Sequence, residues 1–355
     1  MSPLIIPFFI PHAGCPHQCL FCNQETISGI RQRVPEASQI QEQIACWLDR
    51  SPGRPTEVAF FGGSFTLLQR QVQESLLAAV QPFIRQGLVQ GVRVSTRPDG
   101  LSDEVLAFLQ GQQVNTIEIG VQSLDDTVLQ MTGRGHTAEQ SLQAMTRVRT
   151  AGFNTGAQLL PGLPGDTPDK ALQSLCGVIA AGARFVRIYP AVVLQGTGLA
   201  DLYLAGQYQP PDLVQGVATA ARLLDAANKA GVPVIRIGLQ ADEGLTTPGA
   251  LLAGCWHPAL GQLVRSQLFR DLVYRKVKEL PIESSITIYC HPQQMSEVIG
   301  QGRANLRAWH QAGLLISQVL PDQQLERYQL CLEYIQYKMM SSLITDLIYE
   351  ECQHA

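Results

Sequence analysis

Residues 10–23 read Ile10-Pro-His-Ala-Gly-Cys15-Pro-His-Gln-Cys19-Leu-Phe-Cys22-Asn23, directly after an apolar run from Leu4 to Ile10. The run has the length of a buried strand, and the prolines and glycine that follow open a loop. Three cysteines stand in that loop at C-x3-C-x2-C spacing, close enough for their thiolates to hold one face of a cubic iron–sulfur cluster. Such a cube takes four ligands, and ordinary electron carriers supply four cysteines. Here the local run supplies three. One iron would stay open to a small molecule, as a catalytic zinc keeps one position for its substrate. The spacing alone also allows a zinc site completed by His12 or His17, or a disulfide pair.

Outward from the loop, the chain to about residue 240 alternates short β-rich runs with segments of helical period. Strands are expected at Leu4–Ile10, Thr56–Phe61, Val92–Thr96, Val114–Val121, Asn154–Leu160 and Ala183–Tyr189, with one more at Pro233–Leu239. Helices are expected between them at 36–50, 67–86, 136–151, 168–182 and 213–230, with Ser102 as the N-cap of a short one. Continuous apolar strands alternating with helices mean a parallel sheet. The distinctive residues fall at successive strand C-terminal ends, where barrel sites are built. No G-x-G-x-x-G follows the first strand, as a dinucleotide fold would need. The expectation is therefore an α/β chain with a partial (β/α)6 TIM-like barrel over 1–240 and a smaller α+β and helical extension over 241–355.

Strand two runs into Gly62-Gly63-Ser64, whose glycines would let backbone approach a ligand. Strand three ends in Ser95-Thr96-Arg97-Pro98-Asp99, with Pro98 holding Arg97 extended. On strand four, alternation puts Glu118, Gly120 and Gln122 on one face and Ile117, Ile119 and Val121 on the other. The polar set should face the lumen, where Gln122 can both donate and accept hydrogen bonds. Strand five ends in Gln158-Leu-Leu-Pro161-Gly162-Leu-Pro-Gly-Asp166, a rigid loop offering bare backbone. Strand six ends in Arg187-Ile-Tyr189-Pro190, ahead of Gly196-Thr197-Gly198-Leu199.

The three cysteines, with aromatic Phe21 just before the last, resemble the signature of the radical S-adenosylmethionine (radical SAM) enzymes. The later segments, Gly120-Val-Gln-Ser123, Thr132-Gly-Arg-Gly-His-Thr137, Pro161-Gly-Leu-Pro-Gly-Asp-Thr167 and Arg187-Ile-Tyr-Pro190, resemble the radical SAM domain of the Elongator catalytic subunit family over about 4–210, and more distantly the oxygen-independent coproporphyrinogen oxidases. The resemblance implies that Cys15, Cys19 and Cys22 ligate a 4Fe–4S cluster. It implies that Phe21, Gly62, Gly63, Ser64, Arg97, Gln122, Gln158, Pro161 and Gly162 surround S-adenosylmethionine, with Arg97 as a partner for its carboxylate. It also implies an electron donor such as flavodoxin or ferredoxin, and a tRNA nucleoside as substrate. Ser64 and Ser95 depart from the family, which carries acids there. The cluster begins at Cys15, without room for a preceding tRNA-binding extension, and no acetyl-CoA phosphate loop follows residue 240, so the barrel chemistry carries over and acetyl transfer does not. A small-molecule or tetrapyrrole substrate, or a non-catalytic iron–sulfur or zinc sensor, are the alternatives.

In the last third, 241–262 reads as loop, with His257 beside Cys255. Segments 285–290, 293–299, 304–313 and 314–320 read as a β-α-α-β unit with Gly300-Gln-Gly302-Arg303 between its helices. That looks like a KH module, whose glycine loop clamps RNA backbone, though the glycines are one residue out of register. Residues 263–315 carry a local charge of +3 on a chain of −4. The overall charge gives no general pull toward nucleic acid, and no DNA partner is expected. The stretch 326–352 is expected to form one long helix, from apolar residues at three- and four-residue steps. Cys46 and Cys176 read as small core residues. With 355 residues, 45% hydrophobic, no basic n-region and no long apolar span, the chain reads as a soluble cytoplasmic protein, its nine cysteines kept reduced.

Overall fold

The computed structural model describes residues 3–29, 34–239, 243–277, 285–334, 337–346 and 349. Its largest element is a sheet of seven strands: β1 (Leu4–Ile10), β2 (Thr56–Gly62), β3 (Gly91–Thr96), β4 (Val114–Gln122), β5 (Asn154–Leu159), β6 (Phe185–Ile188) and, beyond a short β7 (Val192–Leu194), β8 (Val234–Ile237). The spatial order is β1-β2-β3-β4-β5-β6-β8, and every neighbouring pair is parallel. Parallel strands need crossovers, and helices supply them at Ala37–Arg50, Arg70–Arg85, Ala138–Thr150, Pro168–Ala180 and Leu213–Lys229.

Their limits follow local chemistry. Ser102 caps helix Asp103–Gly111 by accepting from the Val105 amide at 3.3 Å. Thr137 and Gln140 form a capping box at the start of helix Ala138–Thr150, and Gly152 follows it at φ 88°. Leu4, Ile6, Phe8 and Ile10 alternate inward along β1, while all six residues of β3 are buried.

The sheet is curled. Neighbouring strands lie about 4.8 Å apart, so β6 and β2 would stand about 19 Å apart in a flat sheet. Yet the Arg187 guanidinium on β6 lies 5.0 Å from the Phe61 ring on β2, and Arg93 on β3 lies 5.1 Å from the Phe185 ring on β6. Side chains on one face therefore meet across a partial barrel, as expected. Glu118 sits in that lumen with no solvent exposure, between Arg93 at 2.9 Å and Arg187 at 2.8 Å. Arg93 also pairs with Glu57 at 2.8 Å, so the charges balance.

Beyond the barrel, two expectations are corrected. The 241–262 segment is not all loop: Leu251–Gly254 forms β9, antiparallel to β7. The long helix over 326–352 is absent among the described residues. In its place β12 (Gln329–Tyr334) and β13 (Tyr337–Ser342) pair antiparallel, while 335, 336, 347, 348 and 350–352 lie outside the described residues. Leu330, Leu332 and Tyr334 are buried at two-residue steps. Residues four apart share a face in a strand as well as in a helix, which is how the apolar stripe misled. These strands join β10 (Ile286–Cys290) and β11 (Ile316–Pro321) in the order β11-β10-β12-β13, with Met295–Ile299 and Ala304–Gln311 as the expected helices between β10 and β11. Cys46 is exposed rather than in the core.

Candidate metal centre and active site

At the C-terminal end of β1 the chain turns through His12 at φ 54° and Gly14 at φ 72°. The loop that follows is pinned by its surroundings. Leu20 donates to the Thr132 carbonyl at 3.1 Å and accepts from Leu199 at 2.8 Å. Asn23 caps helix Gln24–Ser28. Gln24 ties the loop to the neighbouring strand, its backbone amide donating to His12 Nε2 (3.1 Å) and its side-chain Nε2 to the Gly62 carbonyl (2.9 Å).

The role of the two glycines is also structural. A Cβ on Gly63 would lie 2.0 Å from the Ala13 carbonyl oxygen and 2.6 Å from that of Ile10. The Gly63 and Ser64 amides donate to those same carbonyls, at 2.9 and 2.8 Å. The backbone that approaches Gly63 closely is thus the cysteine loop's own. Ser64 is buried, its hydroxyl 3.4 Å from Cys15 Sγ.

Cys15, Cys19 and Cys22 are free thiols, Cys19 the most buried. Burial and the two neighbouring thiols push Cys22 up to about 12. Such a thiol needs cations to ionise. One is at hand. Arg134, 6% exposed, points Nη1 at Cys19 Sγ at 3.2 Å, and Nε donates to His136 Nε2 at 3.2 Å. Nη2 donates to the Gly120 carbonyl at 2.5 Å, and no carboxylate pairs with Arg134 among the described residues. His136 is held neutral, its pKa pushed down to about 4 by burial and then by Arg134. Arg97 also reaches Cys19, at 3.9 Å, but is gripped at both ends by Asp99 (2.9 and 3.0 Å) and donates to the Arg134 carbonyl.

Other expected residues surround this centre in different ways. Phe21 packs against two small buried clusters, one of Val128, Leu163 and Ala191 and one that includes Val193 and Tyr208, joining the cysteine loop to the segments after β5 and β6. Gln122 takes φ 69° at the end of β4, and its buried Oε1 has no partner among the described residues. Gln158 turns into the lumen, donating to Glu118 at 3.0 Å and Ser95 at 3.5 Å. Pro161 and Gly162 belong to a loop closed on itself: the Gly162 amide donates to Asp166 Oδ2 at 2.7 Å, and its carbonyl accepts from Tyr208 at 2.5 Å. His257 is engaged in its own turn, its Nδ1 accepting from the Ala259 amide at 3.0 Å. Arg134 and His136 had no assigned role in the sequence reading. The signal for them was a lone arginine between two glycines, after a lumen strand.

Three thiols close enough for Cys15 and Cys19 to act on Cys22 form a donor set that fits an iron–sulfur cube. Among the described residues no three His, Cys, Asp or Glu side chains converge as one metal ion requires, whereas zinc holds sulfurs about 2.3 Å from a shared centre. A cube gives each cysteine its own iron. Its Cys19 thiolate would stand beside Arg134, a cation that no carboxylate meets among the described residues.

Comparison with known proteins agrees. Residues 9–175 match the radical SAM superfamily and residues 183–270 the radical SAM C-terminal domain. Protein YhcC of Escherichia coli is 27% identical over 229 residues, 60% of this chain and 72% of that one. A tRNA uridine(34) acetyltransferase of Dehalococcoides mccartyi is 25% identical over 55% of this chain and 50% of its own. The structure of an archaeal Elp3 from Methanocaldococcus infernus superposes with a TM-score of 0.58 at 18% identity, covering 94% of this chain and 75% of that one, a likeness of fold. No helix among the described residues is long and apolar enough to cross a membrane. The chain belongs to the radical SAM superfamily and is an enzyme of that superfamily, working with a 4Fe–4S cluster and S-adenosylmethionine.

Proposed function

We propose that Cys15, Cys19 and Cys22 hold the cluster, and that the enzyme modifies a nucleoside of tRNA. The observation that carries the first half is the buried Arg134 guanidinium, 3.2 Å from Cys19 Sγ and without a carboxylate among the described residues. A 4Fe–4S cluster held by Cys15, Cys19 and Cys22 would supply one-electron reductive cleavage of S-adenosylmethionine, the electron coming from the external donor. The chain's own residues do the rest. Arg134 takes an anion, the methionyl carboxylate, in preference to Arg97, which Asp99 already neutralises. Neutral His136 fixes the plane of that guanidinium by accepting at Nε2. The unpartnered Gln122 Oε1 accepts a hydroxyl or amino group. Phe21 and Leu160 form an apolar wall that keeps water from the reacting carbon. A low-potential one-electron donor such as flavodoxin or ferredoxin serves as the reductant.

Two observations support tRNA. Among the relatives are a tRNA uridine(34) acetyltransferase and Elongator complex protein 3. The C-terminal unit has the β-α-α-β order of an RNA-clamping KH module, with Gly302 and Arg303 in left-handed conformation between its helices. The test is anaerobic reconstitution with iron and sulfide, reduction, and quantification of 5′-deoxyadenosine with and without bulk tRNA, beside Cys19→Ala. Nucleoside that needs Cys19 and rises with tRNA is the expected result. Product indifferent to tRNA would redirect the substrate to small molecules, and no product from a fully loaded protein would remove the chemistry.

A further inference from the structure

A second cavity, of about 730 Å³, lies on the far side of the loop after β5, between that loop and the helices Leu213–Lys229 and Leu260–Val277. It adjoins the cysteine centre through Pro161, Gly162 and Tyr208, but none of its lining comes from β1 to β4 or from the cysteine loop. Its size is that of a small-molecule site. Its walls are unusual in chemistry. Pro161, Pro190, Pro210 and Pro211 with Tyr208 give flat apolar faces. Into them comes Asp166, whose Oδ2 accepts from Gly162 while Oδ1 is shielded from solvent and has no partner among the described residues. A buried carboxylate oxygen without a donor is costly, and a ligand N–H would relieve it. Burial accordingly pushes the Asp166 carboxyl up. The second carboxylate, Asp271, is already engaged by Arg270, Gln267 and the Tyr349 hydroxyl, and the arginine on the rim, Arg222, is tied to Asp169 at 2.8 Å.

These features select a planar, apolar-faced ligand with N–H donors on its edge and no negative charge at the inner end. We propose that this cavity binds a nucleobase, seated between the proline and tyrosine faces with its amino edge on Asp166 Oδ1, and with its sugar directed outward. Adenine, cytosine and guanine carry an exocyclic amine. Uracil offers only a ring N–H. Phosphate would meet the Asp166 carboxylate and is disfavoured at the inner end. The base could come from a free nucleoside or from an unpaired nucleotide of an RNA, and the site stands whether or not tRNA is the substrate of the radical reaction.

The experiment uses the full, cluster-loaded chain under anaerobic conditions. Adenosine, cytidine, guanosine and uridine are titrated separately by calorimetry, and then a single-stranded RNA hexamer. At least one amine-bearing nucleoside is expected to bind tenfold or more tightly than uridine. Asp166→Leu should lose that preference. Because Asp166 also braces its own loop, Thr219→Trp serves as the second variant, plugging the cavity from a helix surface outside the loop. It should weaken the nucleoside at least tenfold, with iron content and S-adenosylmethionine affinity unchanged. An equal loss for the hexamer assigns the base to RNA, and a loss for nucleosides alone assigns it to a free metabolite. Either supports the site. Wild-type protein that binds none of the four at millimolar concentration, or Thr219→Trp that binds them as well as wild type, overturns it.

Discussion

A guanidinium shielded from solvent, with a thiol, an imidazole and a carbonyl as neighbours, is stable only if an anion joins it. Arg134 is that group, whereas Arg97, the arginine singled out in the sequence, is closed off by Asp99. Arg134→Gln is therefore expected to leave the iron content per chain intact and to raise the Kd for S-adenosylmethionine about tenfold or more, some 1.4 kcal/mol, in calorimetry. Unchanged affinity would return the role to Arg97. His136 makes a related prediction for stability. Its pKa falls from the usual 6.5 to about 4 on folding, so the folded chain prefers the neutral ring. The sign follows: the contribution is full above pH 6.5 and drains away as pH falls toward 4, about 3 kcal/mol at most. Denaturant melts of the apoprotein across that range should fall less steeply for His136→Gln than for wild type. Parallel curves would show that the ring charges freely.

Among the elements, the cysteine loop depends on one close approach. At Gly63 a methyl group would stand 2.0 Å from one backbone oxygen and 2.6 Å from another, and backbone cannot swing aside as a side chain can. Gly63→Ala is predicted to lose most of its iron and sulfide after reconstitution although all three cysteines remain, while Gly53→Ala, at an open turn with no atom within 4 Å, keeps them. Full loading of Gly63→Ala would mean that the loop relaxes freely. The same glycine measures what the sequence made legible. The parallel strands could be read because both faces of such a sheet are covered, which leaves uninterrupted apolar runs such as Val58–Phe60. The glycine pair could be found but not explained, because only the folded chain shows that the loop after β1 lies on top of it. Arg134 was hidden for a similar reason: its importance lies in which neighbours it lacks. The β12–β13 hairpin was misread because a four-residue repeat cannot separate a strand from a helix.

For the whole molecule, the question is how a chain of net charge −4 would hold a polyanion. The local excess of cations in the C-terminal third is mostly spent internally. Arg265 pairs with Glu297, Arg270 with Asp271 and Lys276 with Asp346. Arg303 and Arg307 are different: both are exposed, Arg303 in the loop between the two helices of the C-terminal unit and Arg307 in the first turn of the helix that follows, with no carboxylate partner among the described residues. Arg307 instead donates to the Gly302 carbonyl, which sets its stem along the loop. If this loop carries the RNA backbone, each arginine displaces about one counterion. The double change Arg303→Glu and Arg307→Glu should then weaken tRNA binding about uniformly across tRNA species and lower the slope of log K against log salt by about two. Cleavage of S-adenosylmethionine without RNA should stay at the wild-type rate, since neither residue approaches the cysteine centre. A salt slope equal to that of wild type would move the RNA contact elsewhere on the molecule, and loss of the RNA-free reaction would mean that the two substitutions had disturbed the fold.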